Sequence, residues 1–326
     1  MLARLQRLVT LGLLGCAALW ATYWWIHDRP VLSVAGGVGV LCSHAVVLAM
    51  EFVLVAYLNR NDPTPRAGPI RLLRAWWGET LTAPQVFCWR QPFRSNCLAD
   101  QLPADGQGRR GVLLVHGFVC NRGLWNPWMQ RLHAKRVPYI AVNLAPVFGS
   151  IDTYPPIVES AVQRLEQATG QPPLIVAHSM GGLAVRAWLD RYGADARASR
   201  VITIAAPHGG TWLARFGLTS NVRQMRRHSP WLQQLARRET KSRCAKFICY
   251  YSHCDNIVVP ASTATLRDAD NRHVPGVAHV DLVNQEKIWR DVLAELQDGS
   301  SASIPVTDVR QPTNAAQDPW PDRPRR

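Results

Sequence analysis

The pentapeptide Ala177-His178-Ser179-Met180-Gly181 joins an apolar run, LIVAH, to a segment with helical periodicity, GGLAVRAW. A sharp turn from strand to helix strains its central residue and exposes that side chain, and small residues two positions away on either side allow the turn. The helix N-terminus then directs N–H groups and a positive dipole end towards the serine. The pattern predicts a nucleophilic Ser179, and the alternative is a serine that only caps the helix.

A second turn carries the groups that a nucleophilic serine would need for its oxyanion. VHGF (Val115 to Phe118) follows another apolar run, GVLLV. Gly117 lets the backbone turn there, so the N–H of Phe118 can join the N–H of Met180 as a pair of donors. Such donors contribute a few kcal/mol to a tetrahedral intermediate. We expect Phe118 and Met180 to form an oxyanion hole.

Two later turns supply a candidate base and a candidate carboxylate. Asp255 begins DNIVVP just past a predicted strand, and His279 lies in the turn GVAHV. A serine hydroxyl is a weak nucleophile until a base accepts its proton, and a carboxylate can hold that imidazole in the productive tautomer. The chain order is Ser, Asp, His, with separations of 76 and 24 residues.

Other residues at strand ends compete for these two roles. His178 adjoins the nucleophile and is interpreted as a packing or rim residue, and the two His-Gly pairs fit loop architecture better than proton transfer. The competitors are His116, His178, His208 and His273 for the base, and Asp268 and Asp270, in a run typical of a loop, for the carboxylate.

These turns belong to an alternation of strands and helices between Arg110 and Leu296. Predicted strands are GVLLVHG, PYIAVNL, PLIVAHS, SRVITIAAP and AKFICYYSH, and helical segments such as PPIVESAVQRLEQATG and GGLAVRAWLDRYG separate them. This alternation predicts an α/β fold with a mostly parallel sheet covered by helices on both faces. Reactive residues in such sheets cluster at the carboxyl ends of strands.

Taken together, VHGF, AHSMGG, AAPHGGT, DNIVVP and GVAHV resemble bacterial lipases and esterases of the α/β-hydrolase superfamily. The resemblance covers about residues 110 to 296. It implies Ser179 as nucleophile, His279 as base, Asp255 as its orienting partner, and no metal or organic cofactor. The one departure is Ala177 where the common motif has glycine.

Before this domain, Leu8 to Ile26 and Val31 to Met50 carry no charged side chain. Each is about 20 residues long, enough to cross a hydrocarbon core of ~30 Å. With the turn HDRP between them they predict a transmembrane helical hairpin over residues 1–58. The alternative is a signal peptide or lipobox around Cys16, but a cleaved signal normally leads into polar sequence.

Arginines set the expected orientation of this hairpin. Arg4 and Arg7 precede it and four more follow within residues 60–74. The positive-inside rule then places both ends and the following domain in the cytoplasm of a bacterial cell, at its inner membrane. Glu51 and His44 are seven residues apart in the second segment, so we expect their shared face to meet the partner helix or the membrane interface.

The remaining segments complete the predicted organisation. Residues 59–108 are interpreted as a linker and juxtamembrane segment with a short amphipathic helix, RLLRAWWGETL, which fits either the headgroup region of a membrane or an ordinary domain edge. Residues 109–297 are interpreted as the hydrolase domain. Within it, 211–243 combines eight basic residues and one acid with interleaved apolar residues, which fits either a lid over an apolar pocket or a fixed helical excursion. The Pro- and Ser-rich tail 298–326 is predicted to be disordered.

Composition limits the partners. The formal charge is +14 over 326 residues, and no nucleic-acid-binding motif accompanies it, so an anionic membrane surface is the expected partner. The eight cysteines form no CxxC pair and are interpreted as buried, reduced thiols, and a Cys88–Cys97 disulfide would require an oxidising compartment.

The resulting hypothesis is a membrane-anchored serine hydrolase that cleaves carboxylic esters of lipids. An acyltransferase or a thioesterase would use the same three residues, because only the acceptor or the scissile bond differs. A non-catalytic membrane scaffold or transport component is a third alternative. The sequence does not indicate an oligomeric state.

Overall fold

The computed structural model describes residues 1–102 and 107–298. The predicted tail, 298–326, lies outside the described residues apart from its first position. Six strands form one sheet with the order β2-β1-β3-β4-β5-β6, and every neighbouring pair is parallel. The strands are β1 (Val112–Val115), β2 (Tyr139–Ala141), β3 (Leu174–His178), β4 (Arg200–Ile204), β5 (Phe247–Tyr251) and β6 (Asp270–His273).

Twelve α-helices accompany these strands in the described part of the chain. Five precede the sheet, and the first four are followed by a π-helical turn: α1 (Leu2–Ile26), α2 (Pro30–Leu41), α3 (Ser43–Leu58) and α4 (Pro69–Pro84), then the turn Gln85–Arg90. The others are α5 (Gln91–Arg94), α6 (Asn126–Ala134), α7 (Pro155–Thr169), α8 (Met180–Tyr192), α9 (Ser220–Gln224), α10 (Pro230–Arg238), α11 (Lys241–Cys244) and α12 (Glu286–Asp298).

The predicted sheet covered on both faces is confirmed. Side chains alternate along β1, so Leu113 and Val115 join one apolar cluster with α7 and α8, whereas Val112 and Leu114 join another with α6 and α12. Burial on both faces explains why the central strands are continuous apolar runs rather than alternating ones.

The edge strand β6 was not expected, because its sequence, DNRH, contains no apolar residue. It pairs with β5 from Ile248 to Tyr251, and its residues are exposed or half-buried. Asp270, interpreted from sequence as part of a loop, is its first residue. Backbone pairing with β5 rather than burial of side chains defines this strand.

The N-terminal hairpin differs from two straight spans. The 25-residue α1 is long and apolar enough to cross a membrane, whereas the second segment is two helices, α2 and α3, bent by 50°. The Ser43 hydroxyl donates to the carbonyl of Val40, a bond that often accompanies bends. The described residues therefore contain one candidate span, or two if the bent pair counts as one.

The segment expected to be a linker, residues 59–108, is largely helical and packs onto the domain. The predicted amphipathic helix corresponds to α4, which buries Ala75, Glu79 and Thr82 and exposes Trp77. The face of α3 that carries His44 and Glu51 was expected to meet a partner helix or the membrane interface. It instead meets α4 and the hydrolase domain, through hydrogen bonds to Thr80 and Asn256.

The predicted insertion 211–243 contains α9, α10 and α11. Leu232 and Leu235 of α10 are buried, whereas Phe216 and Leu218 near its start are 68% and 75% exposed. All eight cysteines are free, but Cys16, Cys42 and Cys97 are exposed, so the expected burial is wrong for these three.

Candidate active site

Ser179 lies between the last residue of β3 and the first residue of α8, at φ 54° and ψ −130°. Its N–H is held by the carbonyl of Ile204 on β4 at 2.9 Å. A non-glycine residue with positive φ is strained, and such strain persists only where the surrounding structure imposes it. Although Ser179 occupies the N-cap position, its side chain makes no capping hydrogen bond. The strained turn is observed, and the simple capping role is not.

Small residues allow this turn. A Cβ on Gly181 would lie 2.6 Å from the carbonyl oxygen of His116 and 2.7 Å from that of Val115, so α8 approaches β1 too closely for a side chain. A Cβ on Gly117 would lie 2.7 Å from the Cβ of Ser179. Ala177 is fully buried at the end of β3, where its methyl group is accommodated. Gly181 allows the close approach of helix and strand that the motif requires, whereas Gly117 is constrained by its distance to Ser179 rather than by a positive φ.

Phe118 lies in the turn after β1 and is followed by Val119 at φ 52°. Its ring packs edge-on against Phe148, with centroids 5.9 Å apart. Within the described residues, neither the N–H of Phe118 nor that of Met180 donates a hydrogen bond to protein. These two backbone donors at neighbouring strand ends therefore have no protein acceptor, as expected of donors in an oxyanion hole.

The structure brings Asp255 and His279 together. The Nδ1 atom of His279 lies 3.0 Å from both carboxylate oxygens of Asp255, and both residues are buried. Asp255 Oδ1 also accepts the N–H groups of Ile257 and Val258 at 2.8 Å, which fixes the carboxylate. The pairing of Nδ1 with a carboxylate leaves Nε2 as the ring nitrogen that can accept a proton.

Burial by itself would lower the pKa of His279, but the charge and hydrogen bond of Asp255, with a further contribution from Glu79, raise it above its usual value. The ring of His178 stacks beside that of His279, with centroids 4.7 Å apart. Because His178 directly precedes Ser179, this contact brings the imidazole of His279 to the strand-to-helix turn. His178 Nε2 lies 3.2 Å from the carbonyl of His279, in agreement with the packing role expected for it.

The competing histidines have other partners. His116 bridges the carbonyl of Gly117 and the N–H of Leu144, and burial lowers its pKa to about 4. His208 contacts Thr203, and His273 stacks on Tyr251. The competing carboxylates pair with arginines: Asp268 with Arg267, and Asp270 with Arg272.

Sequence reasoning missed three polar residues around His279. Asn256 Oδ1 accepts the N–H of His279 at 3.2 Å, and Glu51 of α3 accepts from Asn256 Nδ2 at 2.7 Å. Glu79 of α4 accepts from Val280 and Asp281. An acid inside an apolar segment was the only available signal for Glu51, and the sequence offered none for Glu79.

An open cleft of about 370 Å³ lies at the opposite edge of the sheet from Ser179. Its lining includes Arg110, Ser199 and Lys246, each next to the amino end of a strand. It is therefore separate from the cluster around Ser179.

Comparison with known proteins agrees with this geometry. A family model described as "Alpha/beta hydrolase family" matches residues 112–326. No curated protein matches the chain.

Among solved structures, the mature form of a lipase from Bacillus licheniformis aligns with a TM-score of 0.53 and 15% identity, covering 60% of this chain and 95% of that one. Its propeptide form aligns with a TM-score of 0.50 and 14% identity, covering 66% of this chain and 54% of that one. At such identities the likeness concerns the fold alone.

Proposed function

The chain belongs to the alpha/beta hydrolase family, and on that premise we propose that it is a membrane-anchored serine hydrolase that cleaves carboxylic esters of lipids. The observation that carries the proposal is the strained Ser179, whose hydroxyl caps nothing, beside the stack of His178 on the Asp255-bound His279. Nucleophilic catalysis by a serine needs a hydroxyl free of other partners and a nearby histidine oriented by a carboxylate, and these two features support the proposal.

In the proposed reaction, Ser179 Oγ attacks the ester carbonyl while His279 Nε2 accepts the hydroxyl proton. The oxyanion of the tetrahedral intermediate accepts hydrogen bonds from the N–H groups of Phe118 and Met180. His279 then returns the proton to the leaving alkoxide, and the alcohol departs from a Ser179 ester. Water, deprotonated by His279, hydrolyses that ester and releases a carboxylic acid. Asp255 stabilises the imidazolium in both halves.

Membrane anchoring is proposed from the exposed apolar surface of the N-terminal helices. Leu8, Trp25 and Ile26 of α1 are 70%, 64% and 68% exposed. A soluble protein rarely leaves so continuous an apolar surface in water, and α1 has the length and composition of a span. The arginines on both sides favour a cytoplasmic hydrolase domain.

A lipid substrate is proposed from the insertion between β4 and β5. Phe216 and Leu218 are exposed, and Arg215 lies over the rings of Trp212 and Phe216 at 5.0 and 5.8 Å. An apolar tip with cationic groups beside it fits an anionic bilayer surface. The substrate would then be an acyl ester that resides in the membrane.

A fluorophosphonate probe tests the nucleophile. The purified full-length protein in detergent should be labelled, and Ser179→Ala and His279→Ala should each prevent labelling. Ser160→Ala, an exposed serine of α7, is the matched control and should be labelled like the wild type. Labelling that survives in Ser179→Ala would exclude this serine as the nucleophile.

Esters of increasing acyl length, offered with and without an alcohol acceptor, test the substrate and the reaction. Release of free acid from long-chain esters supports a lipid hydrolase, and acyl transfer to the alcohol would support an acyltransferase. A phosphatase fused after Arg74 tests the orientation, because activity of that fusion outside the cytoplasm would overturn the cytoplasmic placement.

A further inference from the structure

A carboxylate from outside the sheet domain holds the turn that carries His279. Glu79 of α4 is 2% exposed. Its two oxygens lie 3.1 and 3.2 Å from the N–H of Val280, and Oε2 lies 3.1 Å from the N–H of Asp281. These are the two residues that directly follow His279. Since an unpaired buried N–H is costly, the carboxylate fixes the path of this turn.

A second carboxylate from the N-terminal helices reaches the other side of the same histidine. Glu51 of α3 accepts a hydrogen bond from Asn256 Nδ2 at 2.7 Å, while Asn256 Oδ1 accepts the backbone N–H of His279 at 3.2 Å. Asn256 therefore transmits the position of α3 to the histidine. Asn256 directly follows Asp255, so the same short segment pairs with both the imidazole and the backbone N–H of His279.

Helices α3 and α4 pack closely against the turns that carry Asp255 and His279. Phe52 and Ala75 form a buried cluster with Cys254 and Ala278, the residues that precede Asp255 and His279. A Cβ on Gly78 would lie 3.0 Å from Asp281 Oδ2, so α4 meets this turn without intervening space.

Further hydrogen bonds hold the loop that follows Asp255. Asn59, just after α3, donates to the carbonyl of His253 and accepts the N–H of Ala261. Asp62 accepts from Ser262. The N-terminal segment thus contacts both the residues before Asp255 and those after it.

We propose that the N-terminal helices complete the active site, with Glu79 as a positioning residue that holds the His279 turn and Glu51 as a weaker one that acts through Asn256. This inference rests on the proposed function, since it concerns the base of that reaction. The helices would then do more than anchor the protein, because catalysis itself would depend on their docking.

The charge of Glu79 adds to this mechanical role. Burial raises its pKa to about 7, and its hydrogen bonds and the nearby His279 act in the opposite direction. A carboxylate there favours the protonated imidazole, which forms as Ser179 attacks. Titratable groups that face His279 from the packed elements are Asp255, His178, Glu79 and Glu51.

The test compares Glu79→Gln, Glu79→Asp and Glu51→Gln in the full-length protein. Glutamine at 79 keeps the shape but replaces one acceptor oxygen with an NH₂ group that faces an N–H donor. We expect kcat per fluorophosphonate-labelled site to fall about 10²-fold, as a misplaced catalytic group implies. Glu79→Asp keeps the charge and should recover part of this loss. Glu51→Gln should lose less, because its amide oxygen can still accept from Asn256.

A second readout does not depend on ester cleavage. The pKa of His279, followed by ¹⁵N-histidine NMR and assigned with His279→Ala, should fall in Glu79→Gln. Glu286→Gln is the matched control, because its exposed carboxylate pairs with Arg131 and lies on α12; it should change neither readout.

These readouts separate the two proposals. If the wild type is not labelled and does not cleave esters, the proposed function fails, and the NMR titration still decides whether Glu79 acts on His279. If Glu79→Gln has the wild-type kcat per labelled site and the wild-type His279 titration, and only a lower Tm, the positioning role is overturned.

Discussion

The Nδ1 atom of His279 lies 3.0 Å from each of the two carboxylate oxygens of Asp255. The carboxylate is itself held by two backbone N–H groups, those of Ile257 and Val258. Its orientation is therefore set by its own loop before any substrate binds. A fixed carboxylate keeps the imidazole in one tautomer, so the base needs no reorganisation when the reaction begins.

Asp255→Asn should lower kcat about 10⁴-fold, because an amide can hold the imidazole in the wrong tautomer and cannot stabilise an imidazolium. The retained Oδ1 can still accept the N–H groups of the loop, so Tm should change little. Hydrolysis of a p-nitrophenyl ester measures the effect. Asp268→Asn is the control, since Asp268 lies at φ 61°, where asparagine is well tolerated, and it should keep full activity.

The pH profile follows from the raised pKa of His279. The reaction needs the neutral imidazole, so kcat/KM should rise with pH through a midpoint above 6.5, the ordinary value. In Asp255→Asn, the effect of burial would be opposed only by the smaller contributions of Glu79 and Glu51, and the midpoint should move to lower pH. Glu79 also faces His279, so Glu79→Gln should move it in the same direction by less. A midpoint that stays in place in Asp255→Asn would argue against His279 as the base.

Much of the candidate site follows from local sequence. The turn at Ser179 depends on small residues within two positions of it, and Asp255 and His279 each follow a recognisable strand or precede a helix. Because carboxyl ends of parallel strands share one edge, a correct order of strands brings these turns together without knowledge of side-chain contacts. The prediction of a pairing between Asp255 and His279 also used the chain order Ser, Asp, His and the resemblance to α/β-hydrolases.

The rest depended on contacts between distant parts of the chain. Glu79 and Val280 are 201 residues apart, and no period or motif links a juxtamembrane helix to the turn it holds. The strand β6 was missed for another reason: its polar residues pair through the backbone at an edge, where burial leaves no apolar pattern. The bend between α2 and α3 was also not predicted, because the sequences of both helices are equally apolar.

The close approach of Gly117 to Ser179 predicts that a side chain at position 117 would lower activity. A Cβ there would lie 2.7 Å from the Cβ of Ser179 and 3.3 Å from its Oγ. Gly117→Ala should therefore displace the nucleophile and lower kcat about 10²-fold. Gly68→Ala, where a Cβ has no neighbour within 4 Å, should leave kcat unchanged. Equal kcat values in Gly117→Ala and Gly68→Ala would mean that the loop after β1 accommodates the added methyl group without displacing Ser179.

The insertion 211–243 is fastened to α8 by a buried ion pair. Arg186 donates two hydrogen bonds to Glu239, at 2.6 and 2.7 Å, and their side chains are 1% and 2% exposed. Glu239→Gln leaves the guanidinium without its counter-charge and should reduce the free energy of unfolding by about 3–5 kcal/mol. Arg238→Gln removes an exposed pair with Asp190 and should cost no more than about 1 kcal/mol. Denaturant titration of both variants in detergent measures the difference.

Substitutions at the exposed tip of that insertion test whether the reaction takes place at a bilayer. Phe216 and Leu218 leave most of their apolar surface exposed in the protein but would bury it in a membrane, where each contributes about 1.5–3 kcal/mol when fully buried. Phe216→Ser with Leu218→Ser should lower the rate on long-chain esters in anionic vesicles at least about 10-fold, and leave the rate on a soluble acetyl ester unchanged. Tyr192→Ser, an exposed aromatic at the end of α8, is the control and should keep both rates. An equal loss on both substrates would indicate a damaged fold, and an unchanged ratio of the two rates would exclude the tip from membrane contact during turnover.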